Sequence, residues 1–153
     1  SPSAIAELLL YAADRAQHIS QTIRPTLERG DWVLSDRFSG STIAYQGYGR
    51  HLNLQIIKQL EQIATQGLTP ELTIWLDLST KQSLLRRKGN QDDRIEAEGE
   101  EFLDRVILGF KDLAAERSWI RLKANQDRES ISRQIEEAFA IHFNGLNHTA
   151  NTL

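Results

Sequence analysis

Apolar residues recur at two periods along this chain. Ile5, Leu8, Leu9, Ala12 and Ala13 fall three and four apart, the spacing of one helical face. Ser1 or Ser3 can cap that helix, with Pro2 tolerated in its first turn. The pattern predicts a helix that passes Ile19, is kinked or interrupted at Pro25 and ends at Gly30, a residue suited to a left-handed C-terminal position. A further helix is expected after Asn53, carrying Ile56, Ile57, Leu60, Ile63 and Ala64 up to Gly67. A short one follows Ser79 or Thr80 with Leu84 and Leu85, and a long one carries Phe102, Leu103, Val106, Ile107, Phe110, Leu113 and Ala114. The last begins after Asp127 and bears Ile131, Ile135, Ala138, Phe139 and His142. Between these lie Trp32-Val33-Leu34, Leu72 to Leu78 and Trp119-Ile120-Arg121-Leu122, short apolar runs that read as buried strands. Strands alternating with helices imply parallel pairing through right-handed crossovers, so the expected fold class is α/β, a three-layer α/β/α sandwich. Ligands of such sheets sit beyond the carboxyl ends of the strands. Asp36-Arg37, Asp77-Leu78-Ser79 and Ala124-Asn125-Gln126 follow such ends.

Composition narrows the classes. A length of 153 residues is enough for one domain with a real core, and 40% hydrophobic with 25% charged residues is ordinary for a globular chain. The formal net charge of -3 lacks the basic excess of nucleic-acid binders. Cysteine is absent, which excludes disulfides and thiolate metal sites. No apolar run is long enough to cross a bilayer, and no signal-peptide pattern opens the chain, so neither nucleic acid nor membrane is expected as a partner. The run from Arg86 to Glu96 is highly charged and nearly devoid of apolar residues, and is expected to be mobile. Gly47-Tyr48-Gly49-Arg50 reads as a flexible connection, and residues 144–153 as a polar, flexible tail.

The candidate chemistry centres on the stretch from Trp32 to Gly47. Asp36-Arg37 follows an apolar run and is itself followed by small polar residues, which suits an anionic ligand. Arg37 can grip a phosphate bidentately, and amides of a helix starting near Ser39 can point at the same charge. Asp36 can hold Mg2+, directly or through water. The dipeptide alone favours a plainer reading, in which Asp36 caps a turn and Arg37 pairs with it on the surface. Tyr11, Arg15 and His18 share a helical face, where an aromatic plane beside a guanidinium could stack on a base and donate to its edge.

Leu10 to His18, Asp36-Arg37-Phe38, Ala44 to Arg50 and Asp93-Arg94-Ile95-Glu96 together resemble thymidylate kinases, in the bacterial form, in the right order and over the chain up to about Asn144. The resemblance implies a P-loop nucleoside-monophosphate-kinase fold. It also implies ATP-dependent phosphorylation of dTMP to dTDP, with Mg2+, by a cytoplasmic homodimer. On it, Tyr11 matches the aromatic that stacks on thymine, and Arg15 the donor to a base carbonyl. Asp36 matches the acid near the metal and phosphates, and Arg37 the holder of the dTMP phosphate. Ser41 and Thr42 match polar residues lining the thymidine pocket. Tyr45 matches the wall against deoxyribose that disfavours a 2′-hydroxyl, and Gln46 follows it. The stretch of about 86–98 matches the lid, in which Arg86, Arg87 and Arg94 are candidates for the arginine that neutralises charge during transfer. Arg94 and Asn125 are the expected ATP contacts, with Lys123 a departure from the family pattern nearby.

A second departure is an absence. No G-x-x-x-x-G-K-[ST], the loop that wraps donor phosphates, occurs in the sequence. The chain opens Ser1-Pro2-Ser3 and contains no Met. The expectation is that residues 1–143 are the carboxyl-terminal portion of a thymidylate-kinase-like domain that does not transfer phosphate alone. The alternatives are a non-catalytic nucleotide-binding protein and a kinase for another nucleoside monophosphate.

Overall fold

The computed structural model describes residues 2–87 and 99–149. By its contacts the chain falls into two compact units, residues 1–69 with 98–110, and residues 70–97 with 111–153.

The first unit is helical. Helix α1 (Ala4–His18) is capped by Ser3, whose Oγ accepts from the Ala6 N–H at 3.2 Å. It continues as a π-helical turn, Ile19–Ile23, and then as α2 (Arg24–Glu28), with Pro25 in the first turn. Gly30 follows at φ 81, the left-handed ending expected there. A short helix α3 (Ser39–Thr42) starts where a helix was anticipated and passes directly into a second π-helical stretch, Ile43–Gly49. Helix α4 (Leu54–Thr65) is capped by Asn53, whose Oδ1 accepts from Gln55 N–H at 2.9 Å and Ile56 N–H at 3.1 Å. The core joins Leu8, Ala12, Ile19 and Ile23 to Ile43, Ala44, Ile57 and Ala64, and to Phe102, Leu103 and Val106 of α6 (Glu100–Glu116).

The second unit holds the sheet. Strands β1 (Ile74–Asp77) and β2 (Ile120–Lys123) pair in parallel, with Ile74 opposite Ile120 and Asp77 opposite Lys123. Helix α5 (Thr80–Arg87) follows β1, with the Ser79 Oγ accepting from Gln82 N–H at 3.3 Å. Helix α7 (Arg128–Thr149) follows β2 and packs against it. Its cap is Asp127, which accepts from Ser130 N–H at 2.9 Å and from Ser130 Oγ–H at 2.7 Å. Those donors hold the Asp127 carboxyl below the ordinary carboxylate range. The helix runs on to Thr149, past Phe143, where the body was expected to end. The described structure is thus an α/β fold with a small parallel sheet.

Three expectations need correction. Trp32-Val33-Leu34 is irregular, with Trp32 67% and Leu34 101% exposed, rather than a buried strand. A strand exists only as a member of a ladder, and the sheet among the described residues consists of β1 and β2 alone. The α1 face is narrower than its pattern implies. Leu8 and Ala12 are buried, whereas Ile5 and Leu9 are each 53% exposed, although α1 packs against α4. The Gly47–Gly49 segment is not a flexible connection but the end of the π-helical stretch, with both glycines buried. A Cβ on Gly47 would lie 2.3 Å from Leu54 Cδ2, and one on Gly49 would lie 2.6 Å from Phe102 Cε2. These glycines are there for close approach, not for mobility.

Gly49→Ala should therefore destabilise the protein by about 1–3 kcal/mol, the ordinary effect of an overpacked core. Thermal unfolding reads it as a drop in Tm of several degrees, and an unchanged Tm would mean that the Phe102 ring yields freely.

Candidate functional site

Several segments of the first unit bring side chains together. Arg15 is placed by α1, one turn after Tyr11 on the same face. Its Nη2 donates to Thr42 Oγ1 on α3 at 3.1 Å. Its Nε lies 3.1 Å from Glu61 Oε2 on α4, an ion pair without the alignment of a hydrogen bond. Its Cζ stands 5.0 Å from the centre of the Phe38 ring. Three faces of the guanidinium are therefore occupied, and among the described residues Nη1 carries no hydrogen bond. The Tyr11 ring is 49% exposed, a plane open to a ligand.

Arg37 sits at the turn before α3 with φ 69, and its carbonyl accepts from Ser35 Oγ–H at 2.8 Å. A non-glycine residue in the left-handed region costs roughly 1–2 kcal/mol. That conformation coincides with a guanidinium 5.1 Å from the centre of the Tyr45 ring. Tyr45, on the π-helical stretch, is held edge-on by Phe110 at 6.1 Å and tilted against Phe102 at 6.2 Å. Its wall is thus fixed from behind while the cation lies over the ring. Ser41 is half-buried, and its N–H donates to Phe38 C=O at 3.0 Å as the first turn of α3 closes. Thr42 is buried.

Gln46 is turned inward rather than toward the ring and cation. It is 2% exposed, and its Nε2 donates to Glu7 Oε1 at 3.3 Å. The other Glu7 oxygen lies 3.2 Å from Arg50 Nη2. The chain Gln46–Glu7–Arg50 ties the middle of the π-helical stretch and the residue that caps it to α1. Arg105 adds a forked contact from α6, donating to Gly49 C=O through Nε at 3.1 Å and Nη2 at 3.0 Å.

Asp36 is exposed beside Arg37, and no group of three or more His, Cys, Asp or Glu able to hold a metal occurs among the described residues. A lone exposed carboxylate suits Mg2+, which keeps most of its waters and takes one or two carboxylates together with substrate phosphates.

In the second unit Asn125 is exposed on the loop after β2. Arg86 Nη2 donates to the Ala124 C=O at 2.5 Å, so this guanidinium braces the loop that carries Asn125. Arg87 is the last residue of α5. Arg94, Asp93 and Glu96, with the rest of the expected lid from residue 88 on, lie outside the described residues.

Sequence reasoning passed over Glu61 and Glu7. Glu61 had a signal: it lies four residues after Ile57 and three before Ala64, in the buried phase of α4. A charge placed there needs a partner. The left-handed φ of Arg37 had none.

The thymidylate kinase family model matches residues 1–135. The thymidylate kinase of Prochlorococcus marinus (strain MIT 9303) is 63% identical over 146 residues, which is 95% of this chain and 68% of that protein. That of Parasynechococcus marenigrum (strain WH8102) is 61% identical over 136 residues, 89% of this chain and 65% of that protein. That of Synechococcus sp. (strain CC9605) is 58% identical over 144 residues, 92% and 69% respectively. On this match, and with the arginines, ring and polar groups placed as described, the chain belongs to the thymidylate kinase family.

Proposed function

We infer that this protein works, as the full gene product, as a dTMP kinase, moving the terminal phosphoryl group of ATP to dTMP and releasing dTDP and ADP. The observation that carries the reading is the grouping in one unit of a held Arg15, an open Tyr11 ring and Arg37 over Tyr45. A nucleoside monophosphate needs a stacking plane, an edge donor, a sugar wall and a fixed cation, and these residues offer all four.

In this reading Tyr11 stacks on thymine, and Arg15 donates to a base carbonyl beside Thr42 and Ser41. Tyr45 stands against the deoxyribose, where a 2′-hydroxyl would meet its ring. Gln46 serves the pocket by fixing the backbone of that wall from behind. Arg37 holds the dTMP phosphate, so that one of its oxygens can attack the terminal phosphorus of ATP as the bond to the ADP oxygen breaks. Positioning and charge neutralisation are most of what such a transfer requires. Asp36 is the residue proposed to hold Mg2+ through water, and the ion would supply positive charge at the phosphates. Arg86 supports the Ala124–Asn125 loop, proposed to pack on adenine. The cation delivered during transfer is left to Arg87 or Arg94 in the lid.

The finer fold, a three-layer sandwich, belongs to the same proposal and is supported by the parallel pairing of β1 and β2. So does a homodimer, which would cover the exposed Ile5, Leu9 and Leu10 of α1. A cytoplasmic setting completes the reading. No helix among the described residues is long and apolar enough to cross a membrane.

The experiment compares phosphorylation of dTMP, dUMP, dCMP and dGMP by the full gene product. dTMP is expected to have the highest kcat/KM, and a preference for another nucleotide would overturn the assignment. Arg37→Gly separates chemistry from folding, because glycine occupies φ 69 without strain. Tm should hold, while kcat/KM for dTMP falls about 10- to 100-fold for the lost phosphate contacts. Tyr45→Ala should relax the rejection of the ribonucleotide of thymine by about tenfold or more, read as the ratio of kcat/KM values.

A further inference from the structure

We propose that Glu61 is a positioning residue that sets the thymine-over-cytosine preference through Arg15. The inference rests on the reading above, in which Arg15 addresses the base. Glu61 is 3% exposed, in the middle of α4, 46 positions from Arg15 in sequence. A buried carboxylate is costly unless a cation answers it, and Arg15 is the cation 3.1 Å away.

The two other contacts of Arg15 come from different segments, Thr42 at Nη2 and the Phe38 ring against the guanidinium face. With Nε against Glu61 as well, the planar group cannot rotate about its long axis without giving up a partner. The nitrogen left for a ligand is Nη1. Thymine presents a carbonyl oxygen at position 4, an acceptor, where cytosine presents an amino group, a donor. A fixed N–H meets the first favourably and opposes the second. A guanidinium free to swing would pair instead with whichever acceptor lay nearest and lose that distinction. Thr42 alone holds one nitrogen, and Glu61 supplies the second fixed point. Glu61 does not touch the nucleotide in this scheme, since Arg15 lies between.

The test uses the full gene product and measures Kd for dTMP and dCMP calorimetrically. The proteins are the parent, Glu61→Gln, Arg15→Ala and the double variant, each below its own melting temperature. Glu61→Gln is expected to weaken dTMP about tenfold, the scale of the one charge-assisted hydrogen bond from Arg15 to the base, and to leave dCMP nearly unchanged. The double variant should then discriminate no worse than Arg15→Ala alone. If Arg15→Ala collapses the dTMP-to-dCMP ratio while Glu61→Gln lowers only Tm, Glu61 is merely a buried counter-ion and the proposal is overturned, with the role of Arg15 intact. If Arg15→Ala leaves the ratio unaltered, the base-recognition reading itself fails. Should Glu61→Gln not fold, Glu61→Asp keeps the charge and withdraws it by one methylene. A fall in the ratio supports the proposal, and an unaltered ratio overturns it.

Discussion

The candidate site depends on how tightly residues 43–49 press against α4 and α6. Ile43 and Ala44 are fully buried, and Gly47 and Gly49 leave no room for a side chain against Leu54 and Phe102. The same Phe102 ring backs Tyr45. One packed seam therefore sets the position of the Tyr45 wall, and through it the ring that Arg37 overlies. Arg105 closes the seam at its end by gripping the Gly49 carbonyl, a group that the finishing helix would otherwise leave unsatisfied. Close packing of this kind transmits displacements rather than absorbing them. The geometry of the proposed sugar wall is thus a property of the core and not of a surface loop.

Two carboxylates inside the first unit perform the matching task for the cations. Glu61 faces Arg15, and Glu7 lies between Gln46 and Arg50. Arginine keeps its charge in such surroundings and offers a rigid fork, so it can be held by some of its nitrogens while another remains for a ligand. The arrangement exchanges hydration for orientation. That suits the proposed task of presenting fixed donors to a base and a phosphate.

Much of this was legible in the sequence. The caps at Ser3, Asn53 and Asp127, the left-handed Gly30 and the two pairing strands all follow from local chemistry that tertiary contacts did not override. The clustering of Arg15 with Thr42 and of Arg37 with Tyr45 followed from the resemblance rather than from spacing. What could not be read was long-range. Trp32 to Leu34 has the composition of a strand, but composition does not supply the neighbour that a ladder requires. The burial of Gly47 and Gly49 depends on Leu54 and Phe102, and no local pattern reveals a neighbour that distant. The left-handed φ of Arg37 reflects the same limit, since a residue type that usually avoids that conformation was held there by its surroundings.

The π-helical geometry of Ile43–Gly49 has a consequence for how this segment can vary. Such a stretch carries wider turns, closing its hydrogen bonds one residue later than an α-helix does. Loss of a single residue there would let the backbone relax to the commoner coil. Since a π-helical turn holds one residue more than an α-helical turn, the chain beyond would keep its phase only where the turn narrowed to α-helical geometry. That narrowing would in turn draw Tyr45 and Gln46 closer to Thr42 and disturb the contacts of Gly47 with Leu54 and of Gly49 with Phe102. The length of the stretch between Thr42 and Arg50 and the packing of its glycines therefore constrain one another.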